Sequence, residues 1–326
     1  MKKVFFIYLL LLAGPVCAAA APHHHSKAIT VFSDVLYWQL REGGAENWAQ
    51  VITPTSANRT ATLVGTPFKW NTGYRVGAGY TKPASRWDSL LYYTHYQTRG
   101  LNGASDYVYS AFLGNFFANN TNGASIIGAP TYRFASMNWT YNYDTVDFEI
   151  GRNFKIDRRL LLRPYLGLKY AVIDQHMYTS WHVPVLEVPF NNALENLKQD
   201  FSGVGPVFGL KATFPLYQRK RNSLSLMGNL SCGLLYGHWS FSDVFQSDQP
   251  SSITVTVNSV NGLETMARGL LGLEWTTTFS KADISAHLAY EAQAWINQMR
   301  FYSYNMGRLN AQMSLQGGVF GLSVNF

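Results

Sequence analysis

One histidine of this chain lies in a context that could support catalysis. His95 stands in the segment Tyr93-Thr94-His95-Tyr96-Gln97, and a histidine that activates a nearby serine is a common basis of hydrolytic catalysis. Gln97 occupies the position two residues after the histidine, where such a serine would be expected. The sequence therefore predicts no catalytic residue and no enzyme, and a lipid hydrolase is the least favoured alternative.

The other histidines give no sign of a metal site. His182, His238 and His287 are far apart in the sequence, whereas zinc ligands commonly recur within a few residues. His23-His24-His25 could bind a metal weakly, but a solvated chain terminus accounts for that run more simply. We predict neither a metal nor a cofactor.

Charged side chains recur instead at alternate positions of otherwise apolar segments. If these segments cross a membrane, an Arg or Lys facing lipid near the middle costs about 2–4 kcal/mol, so the charges are expected on the wet side. The candidate lumen-lining residues are Lys69, Arg75, Asp147, Glu149, Arg163, Lys169, Lys211, Arg268, Glu274 and Glu291. Their slight basic excess predicts a weak anion preference if the interior conducts. Ion pairs that fill a closed interior are the alternative.

The alternation has a period of two, which is typical of β-strands. In residues 68–80, Phe68, Trp70 and Tyr74 share one face, and Lys69 and Arg75 share the other. Ten strands are predicted on this basis, at residues 30–40, 68–80, 87–98, 136–151, 160–175, 201–214, 223–239, 265–279, 284–298 and within 307–326.

The connections between these strands alternate in length. The predicted long loops are residues 41–65, 99–130, 176–199 and 240–263, and the turns between them are short. All short turns then lie on the side of both termini, as in transmembrane antiparallel up-and-down β-barrels with periplasmic turns and extracellular loops. The barrel would have twelve strands if residues 106–117 or 252–260 also paired into it, and the sequence does not exclude this alternative. A soluble β-sandwich does not explain the alternation of loop lengths.

Composition points to the same fold class. Aromatic residues make up 15% of the chain and charged residues only 14%, against about a quarter charged in typical soluble domains. After the first residues no apolar run approaches the roughly 18 residues of a membrane helix. The basic excess, 26 Lys and Arg against 19 Asp and Glu, is modest and unclustered, which argues against nucleic-acid binding.

The N-terminus predicts export. Lys2 and Lys3 precede an apolar stretch at residues 4–12, and small residues at 17–21 offer a cleavage site, as in a secretory signal peptide. We expect a signal at residues 1–20, a short segment at 21–29 and a bacterial outer-membrane barrel at 30–326. Cys232 is the only cysteine left after cleavage near residue 20, so no intrachain disulfide is expected.

The last strand ends on an apolar ladder, Phe320, Leu322, Val324 and Phe326. Such an end is typical of the assembly signal of outer-membrane barrels, and an exposed apolar edge strand would otherwise favour aggregation. The expected partners are therefore the barrel assembly machinery, outer-membrane lipids and lipopolysaccharide. We expect the strand to close against residues 30–40. The sequence does not indicate an oligomeric state.

Three stretches carry a family resemblance. They are Thr72-Gly73-Tyr74-Arg75-Val76-Gly77-Ala78-Gly79-Tyr80 with Trp87-Asp88, the segment from Asp147-Phe148-Glu149-Ile150-Gly151-Arg152 through Leu162-Arg163-Pro164-Tyr165 to Ile173-Asp174-Gln175, and Tyr290-Glu291-Ala292-Gln293 with Trp295. Together they resemble the Legionella-type pore-forming outer-membrane proteins, which are similar to the major outer membrane protein. The resemblance implies a membrane pore and no catalytic residues. Cysteine-rich members cross-link through disulfides, and a chain with Cys232 alone departs from that pattern.

Two functions follow as hypotheses. The first is a porin-like barrel for passive diffusion of small hydrophilic solutes. The alternative is a non-conducting structural or adhesin barrel that acts through its long surface loops. Ten strands lie between eight, which close around side chains, and sixteen, which leave a channel, so strand number alone does not decide.

Overall fold

The computed structural model describes residues 28–43, 47–54, 59–82, 85–110, 131–157, 160–185, 191–248, 252–303 and 307–326. The predicted signal peptide and the histidine run at residues 23–25 lie outside these ranges. The strands are β1 Ile29–Gly43, β2 Asn47–Pro54, β3 Arg59–Gly65, β4 Asn71–Thr81, β5 Trp87–Ser110, β6 Tyr132–Arg152, β7 Phe154–Asp157, β8 Leu160–Pro184, β9 Asn192–Arg219, β10 Asn222–Ser247, β11 Ser252–Thr278, β12 Asp283–Ser303 and β13 Gly307–Asn325. No helix in the described ranges is long and apolar enough to cross a membrane.

Ten of these strands close into an antiparallel barrel, as predicted. Pairing runs from β1 through β4, β5, β6 and β8 to β13, which returns to β1. The first and last strands match from Thr30 opposite Asn325 to Gly43 opposite Gln312. The seam predicted for the C-terminal strand is therefore a full strand pair, with no exposed edge.

Two glycines of β13 allow this seam to pack. A Cβ on Gly317 would collide with the main chain of Tyr37 and Trp38 on β1, and one on Gly321 would collide with Asp34 and the ring of His287. Glycine at 317 thus lets the main chain of β1 approach closely, and glycine at 321 leaves room for the side chains of Asp34 and His287.

The outward face carries two aromatic bands with aliphatic residues between them, the pattern of a lipid-facing surface. The extracellular band contains Tyr37, Trp70, Tyr74, Tyr170, Tyr236 and Tyr290. The periplasmic band, at the end of the termini and short turns, contains Tyr80, Trp87, Tyr217, Trp275, Phe279 and Phe326. Val35, Leu168, Leu230, Leu271 and Leu288 are among the exposed side chains between them.

Three of the four long loops were predicted at the wrong length. The strands continue into the segments 99–130, 176–199 and 240–263, so that β8 reaches Pro184 and β10 reaches Ser247. Alternation persists there, because inward residues such as Trp181 and Phe245 are buried. The polar outward residues, which the sequence prediction took as loop, are strand residues above the membrane.

The described extra segments do not raise the strand count of the barrel. Residues 252–260 lengthen β11, and residues 106–110 lengthen β5. Within the remaining long loop, β2 and β3 form a hairpin that pairs with β5 through Ala49, Gln50 and Val51. The barrel therefore has ten strands and not twelve; residues 111–117 of the segment 106–117 lie outside the described ranges.

Candidate functional site: the barrel interior

At membrane depth the inner wall is joined by ion pairs centred on Glu291 of β12. The Glu291 carboxylate accepts from Arg75 of β4, with Nη2 3.0 Å from Oε1, and from Arg268 of β11, with Nε 2.9 Å from Oε1. Gln293 donates to the same carboxylate at 2.7 Å. Glu291 is fully buried, so the two guanidinium groups provide the countercharge that a buried carboxylate requires.

The network continues across the barrel through a tyrosine. Arg268 donates to the Tyr92 hydroxyl at 3.3 Å, and that hydroxyl donates to Glu149 of β6 at 2.9 Å. Glu149 in turn pairs with Arg163 of β8 at 2.8 Å, which also binds Asp88 of β5 at 2.7 Å. Side chains from six strands, β4, β5, β6, β8, β11 and β12, are thus connected.

Two further contacts complete this charged layer. Arg75 also lies 3.3 Å from Asp34 of β1, and Lys169 pairs with Asp147 at 2.6 Å. Alternation of side chains on each strand brings these groups inside. The layer contains Asp34, Arg75, Asp88, Tyr92, Asp147, Glu149, Arg163, Lys169, Arg268 and Glu291.

Not every residue predicted for the lumen takes part. Lys211 and Glu274 lie on inward-facing positions of β9 and β11 but outside the network described above. Lys69 is exposed and is a correction to the prediction, since regular alternation begins only where β4 starts at Asn71. For the same reason Phe68, predicted on the lipid face, is buried against Trp139, with ring centroids 5.4 Å apart.

Three members of the layer were missed by sequence reasoning: Asp34, Asp88 and Tyr92. Asp34 follows the same alternation as Phe32 and Leu36, so its inward position could have been read from the strand pattern. Asp88 lies next to the first residue of β5, at a strand end where alternation gives little guidance. Tyr92 carries no charge, and its bridging role depends on contacts between strands distant in sequence.

Toward the extracellular end, aromatic side chains fill the interior. Trp38 packs against Tyr96 at 5.8 Å and Tyr143 at 6.5 Å between ring centroids, and Tyr143 packs against Trp295 at 5.9 Å. The most buried large side chains are Trp38, Trp48, Trp139, Trp181, Trp239, Trp295, Tyr96, Tyr132, Tyr141 and Tyr143. Rings that water does not reach cannot line an open channel in this conformation.

A bulge in β12 closes the same region from one side. Between Trp295 and Met299 the strand carries two residues more than its partner β13, and Asn297 has a positive φ of 60°. Gln298, Met299 and Arg300 are consecutive and buried, whereas a regular strand would bury alternate residues. The bulge therefore turns this part of β12 into the lumen.

Side chains of the opposite wall hold the bulge. Trp239 of β10 and Gln199 of β9 donate to the Gln298 carbonyl oxygen at 3.0 and 3.2 Å, and Gln175 of β8 donates to its side chain at 3.1 Å. The Arg300 guanidinium lies 3.6 Å from the Trp239 ring centroid. We name residues 296–300 the β12 plug.

The plug also marks the point where two strands separate. β11 and β12 pair from Thr278 opposite Asp283 up to Thr265 opposite Ile296. Beyond that point, Arg300 donates to the carbonyl oxygen of Leu263 on β11 at 3.3 Å. A side chain thus connects the two strands where their main-chain pairing ends.

Above the membrane bands, the interior holds two acids side by side. Glu195 of β9 and Asp243 of β10 are buried, and Thr179 donates to Glu195 at 3.2 Å. Burial raises the pKa of Asp243 from 3.8 to about 7. Burial, and then the charge of Asp243, raise the pKa of Glu195 well above 4.5. The two carboxyls are therefore stabilised in protonated form.

The charged layer holds five acids and four bases. The acids are Asp34, Asp88, Asp147, Glu149 and Glu291, and the bases are Arg75, Arg163, Lys169 and Arg268. Glu195 and Asp243 are not counted as charges, because their protonated forms are stabilised. This balance does not favour the weak anion preference expected from the sequence. The difference arises because Asp34 and Asp88 were not counted and Lys69 is exposed.

The histidines singled out in the sequence are dispersed over the barrel. His95 faces outward beside Asp144, with Nδ1 2.7 Å from the carboxylate, and His287 lies 3.6 Å from Asp34 inside. His182 and His238 contact asparagine side chains. Within the described ranges no group of three or more His, Cys, Asp or Glu is placed to hold a metal ion.

Comparison with known proteins gives one match by sequence and several by shape. A family model described as Legionella pneumophila major outer membrane protein precursor matches residues 21–326. No curated protein matches the chain.

Solved barrels with a similar course include the outer membrane protease OmpT from Escherichia coli, at 10% identity and a TM-score of 0.42, with 94% of this chain and 99% of that chain covered. The Pseudomonas putida toluene transporter TodX has 8% identity and a TM-score of 0.24, with 94% and 91% covered. A Pseudomonas aeruginosa FadL homologue has 9% identity and a TM-score of 0.23, with 93% and 90% covered.

Proposed function

Since the chain belongs to the family of the Legionella pneumophila major outer membrane protein, we propose that it is an outer-membrane pore for small hydrophilic solutes. The pore is closed in the conformation described above. Both parts of this proposal rest on the interior, where a charged layer lies at membrane depth and a packed aromatic region with the β12 plug lies above it.

The charged layer is the observation that carries the proposal. A barrel that only needs a filled interior is served equally well by apolar side chains, because buried ion pairs commonly contribute no more stability than apolar residues of similar volume. The pairs Arg75–Glu291 and Lys169–Asp147 nevertheless occupy the inner wall at this depth. Charged walls suit hydrated solutes, which apolar walls exclude.

The proposed route opens by withdrawal of the β12 plug. Gln298 and Arg300 are held by side chains of other strands, through the contacts with Gln199 and Trp239. Polar contacts of this kind exchange for water at modest net cost, about 0.5–1.5 kcal/mol for each hydrogen bond. Because the charged layer holds five acids and four bases, we expect the open pore to prefer cations weakly.

Efflux from liposomes tests this function. Vesicles containing the folded protein are expected to release potassium faster than chloride, and to release a small neutral sugar more slowly than either. Protein-free vesicles and vesicles with heat-unfolded protein are the controls. Efflux equal to that of the controls would contradict a pore, and faster chloride release would contradict the cation preference.

A second candidate function has its own observation. Above the extracellular band the barrel continues with an aromatic core in which Trp48 and Tyr132 pack on Trp181, at 5.7 and 5.6 Å between centroids. Such a rigid extension is suited to surface recognition. Cell binding that disappears when the β2–β3 hairpin is removed, with efflux retained, would support this adhesin function.

The C-terminal ladder supports a proposal about assembly. Phe320, Leu322, Val324 and Phe326 all lie on the exposed outward face. The last of them lies beside the short turns, at the end where assembly machinery in the periplasm would meet it. We keep recognition of this strand by that machinery as part of the proposed function.

A further inference from the structure

A groove opens on the outward face where β4 begins. Its volume is about 610 Å³, and its lining comes from the start of β4, the middle of β5 and one residue of β6. The lining includes Tyr74 of β4 and His95, Gln97 and Arg99 of β5. Most of these are polar, although they lie on or beside the face that meets lipid lower down.

The groove lies at the depth of lipid head groups. It begins beside Tyr74, a member of the extracellular band, and follows β5 upward from His95 to Arg99. A strand advances about 3.3 Å per residue, so Arg99 is more than 10 Å further along the strand than His95. In the outer leaflet of a bacterial outer membrane, this depth is occupied by phosphorylated sugars of glycolipid.

One end of the groove is arranged by a carboxylate. Asp144 of β6 accepts from the Tyr93 hydroxyl at 2.5 Å and holds Nδ1 of His95 at 2.7 Å. The ring of Tyr74 lies 5.3 Å from that of His95. This arrangement orients the imidazole and leaves its Nε2 for a ligand hydroxyl, with an aromatic ring beside it.

The other end offers a cation. Arg99 is exposed, and its Nε donates to Asn138 at 2.6 Å, which fixes the guanidinium while leaving both Nη groups for an anion. Two parallel N–H donors match the oxygens of a phosphate. The exposed Gln97 amide lies between Arg99 and His95 on the same strand face.

We infer that this groove binds the phosphorylated sugar head group of the outer-leaflet glycolipid, with phosphate on Arg99 and sugar hydroxyls on His95 and Gln97. Tyr74 provides an apolar platform for the sugar ring. Basic pockets at the membrane surface recognise lipid head groups by the same combination of charge and hydrogen bonding. The site is on the outside of the barrel, so the inference is independent of whether the interior conducts.

Native mass spectrometry of the folded protein with purified lipid A tests the site. Wild type is expected to retain lipid A at concentrations where phosphatidylglycerol, an anionic lipid without sugar, is not retained. Arg99→Gln is expected to weaken lipid A retention about tenfold, the loss of one charge-assisted contact. Tyr74→Leu is expected to weaken lipid A retention as well, because it removes the ring beside the sugar while Arg99 remains in place.

Arg152→Gln is the matched control, because Arg152 is an exposed arginine near the periplasmic band, 5.7 Å from the Trp87 ring. It should retain lipid A as wild type does. Equal retention by the Arg99 and Arg152 variants would overturn the site, and so would equal retention of the two lipids by wild type. Binding of glucosamine 1-phosphate as tight as that of lipid A would show a soluble sugar phosphate as the ligand and overturn the glycolipid.

Discussion

At the scale of single residues, the interior depends on how each buried charge is compensated. Glu291 is bound by two arginines from different strands, so it neutralises charge on both sides of β12. Removing one partner of a buried ion pair leaves the others uncompensated, which costs far more than the net contribution of the pair itself. We therefore expect the loss of Glu291 to lower the free energy of unfolding more than the loss of any other member of the charged layer.

Glu291→Gln tests this point. The amide keeps the shape but leaves Arg75 and Arg268 without their shared charge, so we expect the free energy of unfolding to fall by about 3–5 kcal/mol. Denaturant titration of the folded barrel in detergent gives the measurement. Glu274→Gln is the control, since Glu274 lies on the neighbouring strand and is only partly buried. Equal losses in the two variants would contradict a special role for Glu291.

Asp243 predicts a dependence of stability on pH. Its folded-state pKa is raised to about 7 from 3.8, so between these values the unfolded chain releases a proton that the folded chain keeps. Stability therefore falls as pH rises through this window, by at most about 1.4 kcal/mol per unit. The neighbouring Glu195, whose pKa is also raised, acts in the same direction.

Denaturant midpoints at pH 5 and pH 7, followed by tryptophan fluorescence, measure this dependence. Asp243→Asn should reduce the difference between the two midpoints and raise stability at pH 7. Asp200→Asn, which alters an exposed acid on β9, should keep the wild-type difference. A variant at Asp243 with an unchanged pH difference would show that this carboxyl titrates normally in the folded protein.

At the scale of elements, the alternation of apolar and polar residues predicted the parts of the strands within the membrane but not their extensions above it. Inside the bilayer one face is apolar and the other small or charged, so the period is clear. In β8 beyond Tyr170, the outward side chains include Asp174, His176 and Tyr178, which resemble loop residues because both environments are aqueous. The hydrophobic pattern therefore marks the membrane boundary more faithfully than the strand end.

The β12 plug could not be predicted from the sequence. Its residues, Ile296-Asn297-Gln298-Met299-Arg300, contain no glycine or proline to mark a bulge. The bulge is stabilised by Gln175, Gln199 and Trp239, whose positions are known only once the barrel is closed. The inward positions of Arg75 and Glu291 could be predicted because they depend on local alternation alone.

The terminal element gives a prediction about assembly. Phe326 is 51% exposed, and its main-chain N–H donates to Ile29 at 2.8 Å. Phe326→Ser keeps that main-chain bond, so we expect the purified, folded barrel to retain its stability while the amount assembled in the outer membrane falls several-fold. Heat-modifiable mobility on gels distinguishes folded from unfolded protein in cell envelopes.

Phe279→Ser is the control for assembly, because Phe279 is a similarly exposed ring in the periplasmic band. Its assembly should match wild type. If both serine variants assemble equally poorly, exposed apolar area near the turns, and not the C-terminal position, determines assembly.

At the scale of the whole molecule, the barrel combines two layers with different properties. Within the membrane, ion pairs line the inner wall. Above the extracellular band the interior is packed like a soluble core, with Trp38, Trp239 and Trp295 inaccessible to water. The molecule belongs to the outer membrane, and its interior above the extracellular band is closed in this conformation. Under the proposed pore function, the plug is the part whose removal would open the interior with least disturbance.

Single-channel recording in planar bilayers, with wild type and a variant lacking Asn297 and Gln298 side by side, tests this account most directly. The deletion removes the two extra residues and so restores regular pairing between β12 and β13. Wild type is expected to stay closed with brief openings, and the variant to give steady, cation-selective conductance. Steady conductance of wild type would contradict the closed interior, and silence of both proteins, once folding is verified, would contradict the pore.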